Sequence, residues 1–172
     1  MSESVYELLG PEGPLATALT GGLSLEDLAY LDLAYAPPYS SAKDPVNIAG
    51  FVASNILKGD VENIYWNELG DLTGDEITFI DLRNRDEIKK AGMIEGALHI
   101  PLNELRNKLP QLDKKKRYVA YCAVGQRAYM GHRILVQNGF RSTNLSGGYR
   151  TYLGAKEKMM KESPETRLWL SE

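Results

Sequence analysis

Cys122 is the only cysteine in a chain of 172 residues. It ends an apolar run, Tyr118-Val119-Ala120-Tyr121, and opens the segment Cys122-Ala123-Val124-Gly125-Gln126-Arg127. Thiol chemistry needs the thiolate, and an unperturbed thiol is mostly protonated at neutral pH. Several features of this segment favour the anion. Successive N–H groups of a short loop can converge on one point. A helix that follows directs its positive end at the same place. Gly125 lets the backbone curl where a Cβ would clash, and Arg127 adds a permanent cation. A helix end supplies about 0.3–1 kcal/mol near a surface and about 2 kcal/mol when partly buried. The loop N–H groups and Arg127 are therefore needed as well. A resting thiolate requires no neighbouring general base. A lone cysteine is otherwise a common core filler; the strand, glycine loop, arginine and helix around Cys122 favour a reactive thiol instead.

Such a thiol must be positioned by its neighbours, and from about residue 61 the chain alternates strand and helix patterns. Strands are expected near Ile64-Tyr65-Trp66, over Ile77 to Asp81, over Ala97 to Ile100 before Pro101, over Tyr118 to Tyr121, and at Asn144-Leu145. Helices are expected around Arg85 to Lys90, along Leu102, Leu105 and Leu109, after the cysteine loop through Met130, Ile134 and Leu135 to Gly139, and near Tyr152 to Lys161 before Pro164. This alternation predicts an α/β fold with a parallel sheet flanked by helices on both faces. In such sheets ligands bind at the carboxyl ends of the strands, where Cys122 stands.

The first 60 residues read as an incomplete piece preceding a domain over 61–172. Gly10-Pro11-Glu12-Gly13-Pro14 breaks regular structure, and a short helix from Leu15 to Leu19 follows. Ser24 with Asp27 resembles a capping box, while Leu28 to Tyr35 fits helix or extended chain. Pro37-Pro38 interrupts again. Asp44 and Pro45 begin a helix whose Ile48, Val52 and Ile56, with Ala49 and Ala53, form an apolar stripe up to Lys58-Gly59.

Composition excludes several classes. A net charge of −3 and a pI near 5.5 argue against a dedicated nucleic-acid binder. No apolar run reaches the ~18 residues of a membrane span, and the first residues lack a signal peptide's pattern. One cysteine rules out an internal disulfide and a CxxC redox pair, and a reducing cytoplasm is the expected location. Two histidines and scattered carboxylates make a poor metal site, so neither metal nor cofactor is expected. His132 is expected within its helix, turned away from the site or partly exposed. Arg83 is expected to form a solvated pair with Asp86 or Glu87, and Lys114 to Arg117 a solvated turn.

Residues from about 75 to 154 resemble a rhodanese domain. Asp81-Leu82-Arg83 resembles the family's Asp-x-Arg strand end. Gly92-Met93-Ile94-Glu95-Gly96-Ala97, followed by Ile100-Pro101, is similar to its Gly-His-Ile-Pro-Gly-Ala…Ile-Pro stretch, with Met93 and Glu95 as departures. Cys122 to Arg127 resembles the six-residue active loop. Gly139-Phe140 and Leu145-x-Gly147-Gly148-Tyr149 resemble the closing signature, with Tyr149 where many relatives have Trp. The run from Leu33 to Asn47 resembles the end of the dimerisation domain of flavin-dependent CoA-disulfide reductases, some of which carry a C-terminal rhodanese domain. The chain has no Gly-x-Gly-x-x-Gly loop, so flavin binding is not assigned to it. Tyr35 and Tyr39 match the reductase segment and are read as packing or dimer contacts.

The resemblance implies sulfurtransfer through a Cys122 persulfide, with loop residues 123–127 holding donor and persulfide charge and Arg127 binding the donor. Asp81, Arg83 and His99 are read as supports of the loop. The expected partners are a small-molecule or protein-borne sulfur donor and a thiol acceptor, with a homodimer or an association with a flavin-dependent reductase. Two alternatives stay open: a non-catalytic binding or dimerisation module, and a cysteine phosphatase. Phosphatase loops place five residues between cysteine and arginine; here there are four.

Overall fold

The computed structural model describes residues 12–33, 44–72 and 77–162. The stretches carrying Tyr35, Tyr39, Pro37-Pro38 and Pro164 lie outside them. Contacts divide the chain into two units, Met1–Asp60 and Val61–Glu172.

In the first unit, α1 spans Glu12–Thr20, α2 Leu25–Ala29 and α3 Pro45–Leu57. The Ser24–Asp27 capping box forms as expected. The Ser24 hydroxyl oxygen accepts from Asp27 N–H, and the Asp27 carboxylate accepts from Ser24 N–H. Asp44 caps α3 by accepting from Val46 N–H. Helix α2 accounts for part of the undecided Leu28 to Tyr35 run. The apolar stripe of α3 lies on the other side of the helix from its buried face. Ile48, Val52 and Ile56 are 43–48% exposed, while Val46, Asn47 and Gly50 are buried. Gly50 decides which side packs: a Cβ there would lie 2.4 Å from the backbone nitrogen of Ala29. Asn47 completes the junction, its Nδ2 donating to the carbonyls of Leu28 and Leu31.

In the second unit, β4 (Arg117–Tyr121) explains the layering. Its residues alternate between two cores, as strand geometry requires. Tyr118, Ala120 and then Cys122 face one side with Ile80, Leu82, Leu105, Ala128 and Leu135. Val119 and Tyr121 face the other with Ile64, Leu145 and Tyr149. Both faces are thus covered, and the strand reads as a continuous apolar run, as in a buried parallel sheet. The five strands are β1 (Asn63–Ile64), β2 (Ile77–Asp81), β3 (Leu98–His99), β4 and β5 (Arg141–Leu145). All pair in parallel, in the order β1-β5-β4-β2-β3. Helices α4 (Arg85–Ala91), α5 (Leu102–Lys108), α6 (Gln126–Gln137) and α7 (Gly148–Glu162) connect and follow them. Helices α5 and α6 supply Leu105, Ala128 and Leu135 to the first core, and α7 supplies Tyr149 to the second.

Three expectations are corrected here. Trp66 opens a 3-10 helix, Trp66–Asp71, so β1 ends at Ile64. Strand β5 begins three residues earlier than Asn144, because Ser142 and Thr143 are buried despite their hydroxyls. Met130 is 46% exposed, and α6 buries Ala128, Gly131, His132 and Leu135 instead. Among the described residues, no helix is long and apolar enough to cross a membrane.

Candidate active site

The register of β2, β3 and β4 assembles the site. Asp81 pairs with Tyr121 on one side and with His99 on the other. Asp81, His99 and Cys122 therefore come to the carboxyl edge of the sheet. Leu82 N–H donates to Tyr121 C=O at 2.9 Å, carrying the pairing one residue past the strand end.

Cys122 is buried and unpaired by any disulfide. Its Sγ accepts from the N–H of Gly125 at 3.1 Å. Gly125 caps α6 with φ +114°, a left-handed conformation that an L side chain rarely adopts. The turn places the first N–H groups of α6, which have no intrahelical acceptors, at the loop. Residues from the start of α7 hold the loop from beneath: Tyr149 N–H donates to Cys122 C=O at 2.8 Å, and Arg150 N–H to Ala123 C=O at 3.1 Å. Gly148 permits this approach, since a Cβ there would lie 2.5 Å from Cys122 C=O. Ala123 is half-buried; Val124 and Gln126 are exposed. The loop is thus a shaped backbone with an inward thiol and outward side chains.

Arg127 lies in the first turn of α6, at the end of the cysteine loop. Its strongest partner is Glu87 of α4. Arg127 Nη1 and Nη2 donate to Glu87 Oε2 and Oε1, both at 2.7 Å, a bidentate geometry. Glu87 Oε2 also accepts from Asn84 N–H at 3.0 Å. The Arg127 hydrogen bonds hold the Glu87 carboxyl down at a pKa of about 2. They raise that of Arg127 in turn.

Arg83 does not pair with Asp86 or Glu87. It turns inward to Asp81, with Nη2 2.6 Å and Nε 3.1 Å from Asp81 Oδ2, and donates also to Gly92 C=O at 2.7 Å. The two side chains are 3% and 0% exposed. Burial works against the guanidinium charge, but the hydrogen bond and charge of Asp81 outweigh it and raise the pKa of Arg83. The guanidinium also lies 4.1 Å from the Tyr149 ring centroid and 5.8 Å from that of Tyr121. Asp81 and Arg83 thus link β2 to the rings beneath the loop. Burial first, then the charge of Asp81, pushes the Tyr121 pKa strongly up, leaving a neutral phenol that accepts from Ile94 N–H. His99 is half-buried, and its Nε2 lies 2.9 Å from Arg83 C=O.

His132 is buried rather than partly exposed. It faces β5, and burial pushes its pKa down. Among the described residues, no group of three His, Cys, Asp or Glu side chains could hold a metal ion.

Comparison with known proteins agrees with this geometry. The model of the rhodanese-like domain matches residues 66–155. The chain belongs to the rhodanese family. YtwF of Bacillus subtilis, which bears the name of a sulfurtransferase, is 35% identical over 80 residues, covering 46% of this chain and 77% of that protein. The reduced CoADR-RHD of Bacillus anthracis superposes with a TM-score of 0.81 at 38% identity, covering 86% of this chain and 26% of that one. A NAD-dependent persulfide reductase from A. fulgidus gives 0.70 at 37% identity, covering 81% of this chain and 25% of the other. This rhodanese chain therefore spans about a quarter of those two larger proteins. Both matches cover more of it than its rhodanese domain alone, in keeping with the resemblance of its first part to CoA-disulfide reductases.

The structure brings the expected thiol, its loop, Asp81, Arg83 and His99 to one edge of the sheet. Arg83 was expected to pair with Asp86 or Glu87 in solvent; it pairs with buried Asp81, and Glu87 pairs with Arg127, forty residues on. Residue-type reasoning also did not single out Tyr121 and Gly148, whose roles depend on what packs against them.

Proposed function

We propose that this chain is a sulfurtransferase that works through Cys122. The Cys122 thiolate attacks the outer sulfur of a sulfane donor. The S–S bond of the donor breaks and its electron pair leaves with the remainder, as sulfite from thiosulfate or as a thiolate from a persulfide. Cys122 then carries the outer sulfur as a persulfide anion. An acceptor thiolate attacks that sulfur, forms its own persulfide and returns Cys122 to the thiolate. This is covalent catalysis in two displacement steps. The observation that carries the reading is the Gly125 N–H donating to Sγ 3.1 Å away, at the head of α6, whose first turn carries Arg127. Backbone donors already aimed at sulfur can stabilise charge as it moves outward to the second sulfur.

The 172 residues hold no second cysteine, so the acceptor is a thiol or another nucleophile from outside them. The sulfurtransferase name of the B. subtilis relative, and the persulfide reductase name of the A. fulgidus protein, support sulfane chemistry. The match to CoADR-RHD supports association with a flavin-dependent reductase, or a homodimer through the first unit. A thiol kept free for this chemistry suits a reducing compartment such as the cytoplasm.

Incubation with thiosulfate or inorganic polysulfide, followed by intact-mass measurement, tests the reading. One added sulfur atom is expected, lost on reduction and absent in Cys122→Ser. No gain from any sulfane donor would overturn it. Cys122-dependent phosphate-ester turnover would replace it with the phosphatase reading.

A further inference from the structure

Arg127 is the cation of the cysteine loop, yet it is already matched by a carboxylate. Both of its terminal nitrogens donate to Glu87 at 2.7 Å. Glu87 is held from the other side by Asn84 N–H, at the start of α4. The second arginine near the loop, Arg83, is likewise matched, by Asp81. The side chains of Arg127 and Glu87 are 31% and 34% exposed, so the pair reaches solvent in the first turn of the helix that follows the cysteine loop. With both guanidinium charges matched, attraction for an anion falls chiefly to backbone N–H groups and the end of α6. These dipoles act at short range and carry no full positive charge to offset a second negative charge on the donor.

We propose that Glu87 is a specificity-determining residue: by neutralising Arg127 it makes the Cys122 site discriminate against sulfane donors that carry two negative charges beside the sulfur. Thiosulfate, a dianion, is then a poorer donor than a thiosulfonate or an organic persulfide with one charge there. The proposal deepens the sulfurtransfer reading and rests on it for the donor part. The charge effect itself can be read without any sulfur transfer.

Two measurements on the full chain separate these parts. The first alkylates Cys122 with neutral iodoacetamide and with anionic iodoacetate under the same conditions. The ratio of the two rates cancels the fraction of thiol ionised and reports the charge felt at the mouth. Glu87→Gln keeps an oxygen to accept from Asn84 N–H but removes the negative charge. It should raise the iodoacetate-to-iodoacetamide ratio about 3- to 10-fold, as expected for one charge a few ångströms away in a partly solvated site. The rise should shrink as salt is added. Arg127→Gln should lower the ratio, and the double variant should return it near the wild-type value. The second measurement compares kcat/KM for thiosulfate with that for benzenethiosulfonate, a single anion with the same kind of sulfane sulfur. Glu87→Gln should shift the preference toward thiosulfate by a similar factor.

An unchanged alkylation ratio in Glu87→Gln would overturn the proposal, as would a shifted ratio without a shifted donor preference. If no variant accepts sulfur from either donor, the sulfurtransfer reading fails and the donor part falls with it. In that case a shifted alkylation ratio would still establish the charge role of Glu87.

Discussion

Two arginine–carboxylate pairs flank the cysteine loop, and they differ in nearly everything but composition. Asp81–Arg83 is closed off from water, with side chains 0% and 3% exposed, and lies over aromatic rings. Glu87–Arg127 is about one-third exposed and bridges two helices, α4 and α6. A buried pair costs several kcal/mol in desolvation, and its removal is dangerous because the partner is left charged and dry. A partly exposed pair contributes little to stability, since water replaces whatever is lost. The first pair therefore builds the loop's foundation, whereas the second adjusts the field at its opening. The same chemistry is structural in one place and functional in the other because of solvent alone.

The largest effect should come from the buried pair. Asp81→Ala strands the Arg83 guanidinium and should cost about 3–5 kcal/mol in urea unfolding. A loss as small as that at the exposed pair would erase the distinction. Glu87→Gln should change stability by at most about 1 kcal/mol, while moving the alkylation ratio and the donor preference. The pH dependence of that small stability difference is a sharper test. The Glu87 carboxyl is lowered in the fold from 4.5 to about 2. Its contribution is therefore complete above pH 4.5 and disappears as pH falls toward 2. The gap between wild type and Glu87→Gln should be level above that range and close within it. A gap that persists below pH 2 would mean that Glu87 acts through packing rather than charge.

The contrast also shows what one chain can disclose. Strand β2 was legible to the residue, because Ile77 to Asp81 is apolar, β-branched and ended by a charge. The cysteine loop was legible because its thiol, glycine and arginine are close in sequence. Strand β5 was half hidden: Ser142 and Thr143 look like surface residues, and their burial follows from the two layers that enclose them. The α3 stripe had the right period, but periodicity does not say which side finds a partner; Gly50 against Ala29 decided that. The Arg83 pairing failed for the same reason. Asp81 and Arg83 are two apart and can share a face, yet their depth is set by Tyr121 and Tyr149, much further along the chain.

The contacts beneath the loop have a consequence for the order in which the protein is made. Cys122 and Ala123 are held by N–H groups of Tyr149 and Arg150, with Gly148 wedged against the Cys122 carbonyl. The ribosome joins Cys122 to the chain before it joins the residues that shape its surroundings. At about 5–20 residues per second, that interval lasts on the order of a second or more. During it the nascent chain carries an ordinary thiol on an incomplete sheet. If Cys122 works as proposed, its loop is complete only once α7 has been made, and a chain truncated before Gly148 would hold the thiol without those contacts.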